Sequence, residues 1–96
     1  MFVVLLTYEK ELETIDALLG EHIRFLEAQY AAGVFLLSGR REPRTGGVIL
    51  ARCESREALL AILAGDPFWR EGAARYDVVE FVANKAGAGL DGLIGA

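Results

Sequence analysis

Histidine and cysteine each occur once in this chain and proline only twice. The lone cysteine, Cys53, excludes an internal disulfide. With no histidine or second cysteine near it in sequence, no zinc site is expected either. A chain without disulfides fits a reducing cytoplasm, which is the expected localisation. The longest apolar stretches, FVVLL and GVILA, fall far short of the roughly 20 residues a membrane-spanning helix needs. The opening MFVVLLTYEKE lacks a basic n-region and a small-residue cleavage site and does not read as a signal peptide. A net charge of −4 without a clustered basic face argues against nucleic acid as a partner and against an anionic membrane surface. No repeat at a solenoid period is present.

What remains is a chain of 96 residues, enough for one domain and not for two. So short a chain buries roughly 60–65% of its unfolded surface, which makes a thin core. A hydrophobic content of 53% is rich for that size and points to apolar surface shared with another chain.

Residues 2–8, FVVLLTY, are β-branched and aromatic and predict a strand, with Phe2, Val4 and Leu6 on one face and Val3, Leu5 and Thr7 on the other. Residues 11–32 predict a long helix whose stripe is Leu12, Ile15, Leu19, Ile23, Leu26 and Tyr30. Its start is open between Thr14 as N-cap and Glu11 to Glu13 as first turn, and Gly33 stops it. VFLLSGR (34–40) and GVILARC (47–53) predict two strands joined by a short turn-forming loop, hence an antiparallel hairpin. Ser55 caps a second helix with Leu59, Leu60, Ile62 and Leu63 inward. Pro67 biases Asp66 away from the helical region and ends that helix near Gly65. Residues 75–85 predict the last strand, and the glycine-rich tail, 86–96, is weakly ordered or partner-docked.

The order β-α-β-β-α-β is the ferredoxin-like α+β arrangement: a four-stranded antiparallel sheet with two helices on one face. The strands carry apolar residues on both faces, whereas a sheet face meeting water should be polar. A second copy covering the open face, in a two-fold homodimer, resolves this.

His22 lies within the apolar stripe of the first helix. A ring there must find a hydrogen-bond partner. One reading is a core-edge histidine bonded to a backbone carbonyl. The other pairs it with Asp66, which by itself is also an ordinary turn former before proline. The two helices lie side by side, so the two residues could meet. The carboxylate would then fix the imidazole tautomer and leave a general base and acid suited to neutral pH. Ser38 and Gly39 end a strand and either enter a hairpin or present a hydroxyl and backbone N–H groups to a ligand. Arg40, Arg41 and Arg44 make either a solvated hairpin tip or a carboxylate-binding rim. Phe68 and Trp69 read as core plugs rather than a stacking platform for bases. GAGLDG in the tail matches no complete phosphate or dinucleotide loop, and no cofactor or metal is expected.

Taken together, the opening strand, EHIRFLEAQYAAG with His22, FLLSGR with Ser38 and Gly39, and DPFWREG followed by YDVVEFV resemble the YciI-like (YCII-related) family over about residues 2–85. The resemblance implies a dimeric α+β barrel formed by residues 1–85. It also implies a cleft whose acid–base groups are a helix histidine and the aspartate of an Asp-Pro-aromatic motif, here His22 and Asp66. Ser38, Gly39, Arg40 and Phe68 are the candidate substrate-binding residues. Two positions depart from the family pattern: Leu19 stands where many members carry arginine, and Arg40 where many carry proline, which makes Arg40 a candidate substitute cation.

The function expected is a cofactor-independent isomerase or lyase that moves a proton on a small organic molecule. The alternatives are a non-catalytic small-molecule-binding or accessory dimerisation module and, by analogy of fold alone, a cofactor-independent oxygenase.

Overall fold

Alternation along the first strand sets up the whole molecule. In β1 (Phe2–Tyr8), Phe2, Val4 and Leu6 are buried while Val3, Leu5 and Thr7 on the opposite side are only half-covered. The computed structural model describes residues 1–96. After β1 come α1 (Leu12–Ala31), β2 (Phe35–Arg40), β3 (Gly46–Ala51), α2 (Arg56–Leu63), α3 (Pro67–Arg70) and β4 (Ala74–Glu80). The strands form one sheet in the order β2-β3-β1-β4, each neighbour antiparallel. Phe2, Val4, Leu6, Phe35, Ile49 and Ala51 from the sheet pack against Ile15, Leu59, Leu63 and Phe68 from the helices in a single core. The fold is therefore the ferredoxin-like α+β arrangement, with the helices gathered on one face.

Of the two starts the sequence left open for α1, the earlier holds: Glu11 is the N-cap, and its extended backbone puts the first turn at Leu12. Other local details differ from the sequence reading. The buried stripe is rotated relative to the expected one. Ile15, Leu18, Leu19, Phe25 and Leu26 join the core, while Leu12, Ile23 and Tyr30 are substantially exposed. Phe25, which edge-packs on Phe35, pulls the helix round, because a phenyl ring has more area to bury than the groups it displaces.

The last strand stops at Glu80 rather than 85, because β1 begins at Phe2 and offers no further partner beyond the Phe81 N–H to Met1 carbonyl bond. Ala64, Gly65 and Asp66 separate α2 from α3, a single-turn helix of four residues that the sequence reading did not anticipate. Ser55 caps α2 as expected, accepting from the Ala58 N–H at 3.0 Å. In the tail a short 3-10 turn spans Asp91–Leu93, and the Gly95 N–H donates to the Ala83 carbonyl at 2.7 Å.

One irregularity positions the site. A β-bulge between Phe35 and Leu37 shifts the β2–β3 register, so that Phe35 pairs with Ala51 and Ser38 with Ile49. Cross-strand partners share a face. The extra residue therefore turns Ser38 to the helix side together with Phe35 and leaves Leu37 on the open face, 67% exposed.

Candidate active site

Asp66 is the hinge of the site. Its extended backbone lets its side chain act as N-cap of α3, accepting from the Phe68 N–H at 3.0 Å through Oδ1, with Pro67 at the first helical position. The residue is thus less a terminator of α2 than the opening of a new helix. The same Oδ1 lies 2.8 Å from Nδ1 of His22 on α1, and Oδ2 accepts from the hydroxyl of Tyr76 on β4. Asp66 is completely buried, and no buried polar side-chain atom in the chain lacks a partner. A carboxylate only accepts, so in the neutral ring the protonated nitrogen of His22 is Nδ1 and the lone pair is on Nε2.

The imidazole is stacked on Phe68, with centroids 4.1 Å apart and planes 9° from parallel. Phe68 is 1% exposed, so its face is taken by the imidazole. It orients His22 and also lines the cleft beside that ring. Trp69 is no core plug: it is 38% exposed and leans on Tyr76 at 5.0 Å.

Arg70 ties α3 to α1. Its guanidinium forms a two-toothed bond to Glu21, at 2.6 and 3.1 Å, next to His22 in sequence, and holds the Glu21 carboxyl below its usual range. Both partners are half-exposed, so the pair fixes geometry more than it adds stability.

Tyr76 escaped the sequence reading as a site residue. On β4 it lies opposite Leu6, on the helix side, and reaches Asp66 from there. Burial above all, followed by the charge of Asp66, pushes its phenol far above the ordinary value of 10.0, so it acts as a fixed donor and not as an acid. The signal available was its parity with Val78 on the buried side of an alternating strand.

A cleft of about 180 Å³ opens beside the imidazole. His22, Leu19, Ile23 and Leu26 wall it from α1, Ser38 and Arg40 from β2, and Gly46 and Gly47 from β3. The Ser38 hydroxyl is hydrogen-bonded to the Tyr30 hydroxyl on α1. Gly39, which pairs with Val48 and has no side chain, lines the cleft with backbone alone. The three arginines do not form a common rim. Arg40 is at the cleft but bonded to Glu42 at 2.7 Å, Arg41 reaches Thr7 at 3.2 Å, and Arg44 pairs with Asp16 on α1. No three His, Cys, Asp or Glu side chains are grouped to hold a metal, and no helix is long and apolar enough to cross a membrane.

A ferredoxin-like domain with a buried histidine–aspartate contact at the wall of an apolar cleft defines the class. The chain belongs to the YCII-related domain family, which it matches over residues 1–82. It is also similar in fold to the solved 5-chloro-2-hydroxyhydroquinone dehydrochlorinase from Burkholderia phenoliruptrix AC1100, in complex with 2,5-dihydroxybenzoquinone. The TM-score is 0.72 at 17% identity, covering 86% of this chain and 95% of that one. No curated protein matches the chain in sequence.

Proposed function

We propose that the protein is a cofactor-independent acid–base enzyme of the isomerase or lyase type acting on a small organic molecule. The observation that supports this most is the His22 Nδ1 to Asp66 Oδ1 contact of 2.8 Å, with the ring 11% exposed at the cleft and the carboxylate fully buried. In this reading Nε2 takes a proton from a carbon next to a carbonyl, and the C–H electron pair becomes the enolate double bond. The proton then returns at another carbon, giving an isomer, or a leaving group departs with its own electron pair, giving an elimination. Asp66 holds the tautomer and stabilises the imidazolium formed. The Ser38 hydroxyl and neighbouring backbone position the carbonyl oxygen. The dehydrochlorinase of similar fold is named for an elimination, which favours the lyase branch.

The working form we infer is a homodimer joined through the open sheet face, in a reducing cytoplasm. Val3, Leu5, Leu37, Val48, Leu50 and Val79 make that face apolar, and Leu37 and Val79 are 67% and 51% exposed in the single chain. The test is solvent deuterium exchange, followed by NMR, into a panel of small enolisable carbonyl compounds, together with chloride release from 5-chloro-2-hydroxyhydroquinone. Catalysis by the wild type that disappears in a folded His22→Ala supports the reading. Equal turnover by that variant refutes it, and saturable binding without any product would favour a non-catalytic binding module.

A further inference from the structure

Two glycines of β3 line the cleft for different reasons. At Gly46 a Cβ would stand 1.7 Å from the carbonyl oxygen of Leu6, so the close approach of β3 to β1 admits no larger residue. Gly47 is far less constrained. Its φ is not positive, so its backbone suits any residue. A Cβ there would meet one atom within 4 Å, the Gly39 carbonyl oxygen at 3.2 Å. The position is paired on both sides, to Leu6 and to Arg40, and shares the helix-side face with Ile49 and Ala51.

Glycine inside a doubly paired strand gives up backbone entropy and side-chain packing. The dihedral angles do not require it here, and the one tight backbone contact asks the Gly39 carbonyl to shift by only a few tenths of an ångström. What its missing side chain leaves open is the cleft, whose lining includes Leu6, Arg40, His22 and Gly47 itself.

We propose that Gly47 is a specificity-determining residue that sets the bulk of the molecule admitted to His22. Its bare backbone forms a floor on which a single flat ring, or a carbonyl compound of similar size, can lie between α1 and β3. A side chain at this position would occupy the place of that ring. The inference rests on the reading of the cleft as the site in which His22 meets its substrate.

His22 is the only histidine, so its modification by diethyl pyrocarbonate, followed by mass spectrometry of the His22 peptide, reports access to Nε2 without any knowledge of the substrate. Gly47→Val should slow labelling about tenfold or more, and Gly47→Ala by about threefold. Leu37→Ala, on the opposite face of the sheet, should leave the rate unchanged. The alanine methyl needs the Gly39 carbonyl to give by only a few tenths of an ångström, so Gly47→Ala keeps the test open should the valine variant not fold. Labelling at the wild-type rate in the folded variants overturns the proposal. The enzyme reading fails separately: a His22 shielded by Gly47→Val in a protein with no turnover leaves the gating intact and removes the catalysis.

Discussion

His22 and Asp66 stand 44 positions apart in sequence and 2.8 Å apart in space, Nδ1 to Oδ1. Since Oδ1 also accepts the Phe68 N–H, one oxygen atom both opens α3 and selects the imidazole tautomer. The first prediction follows from this double use. In ¹⁵N NMR the neutral ring should be the Nδ1–H tautomer. Asp66→Ala should shift it toward the Nε2–H form and lose stability: about 1 kcal/mol for the cap, and roughly 1–3 kcal/mol for each buried donor left without a partner. An unchanged tautomer in a folded Asp66→Ala would count against the pair.

Tyr76 supplies a second prediction. Removing its hydroxyl in Tyr76→Phe leaves the buried Oδ2 of Asp66 without its donor, at a cost of about 1–3 kcal/mol in denaturant unfolding. A loss well below that range would mean that the contact contributes little.

The same residue predicts a pH dependence. The folded state holds the Tyr76 proton above the ordinary value of 10.0, while the unfolded chain releases it there. Above that value the native state binds more protons than the unfolded one, so stability falls with rising pH, by up to about 1.4 kcal/mol per unit for this group. Below it the contribution is fully present. Urea unfolding between about pH 9 and about pH 11 should show this slope in the wild type and a shallower one in Tyr76→Phe. Equal slopes in the two proteins would contradict it.

Gly46→Ala tests the close approach of β3 to β1. A methyl driven to 1.7 Å from the Leu6 carbonyl oxygen forces the strands apart, and the loss should reach about 3 kcal/mol or more. Thermal unfolding measures it. A near-neutral result would show that β3 can move aside.

The proposed homodimer is checked by sedimentation. The wild type should run as a dimer, and Leu37→Lys or Val79→Lys should shift it toward monomer by placing a charge in an apolar interface. A monomeric wild type at micromolar concentration would remove the dimer from the account.

Much of the fold was legible along the chain because it depends on local periodicity. The two-residue alternation of Phe2, Val4 and Leu6 and the helical spacing of Ile15, Leu19 and Leu26 are consequences of backbone geometry alone, and the Ser55 cap is a contact within four residues. Tertiary packing decided the rotation of α1, because Phe25 finds Phe35 only after the sheet exists. It also decided the facing of Ser38. Unbroken alternation from Phe35 would send Ser38 to the open face, and the bulge that reverses this is a matter of pairing with β3.

His22 and Asp66 could be named from residue type and family resemblance, but their contact could not be read from spacing. A hydrogen bond between α1 and the start of α3 exists only when both helices lie against the same sheet. For the same reason Tyr76 was invisible as a partner, and Phe68 was read without the ring stacked on it. By itself the sequence determined the order of the main strands and helices and the buried faces of β1 and α2, since these arise from interactions between near neighbours. Only the tertiary structure decided which side chains meet, because that depends on strand register and helix rotation, which are settled by contacts between distant parts of the chain.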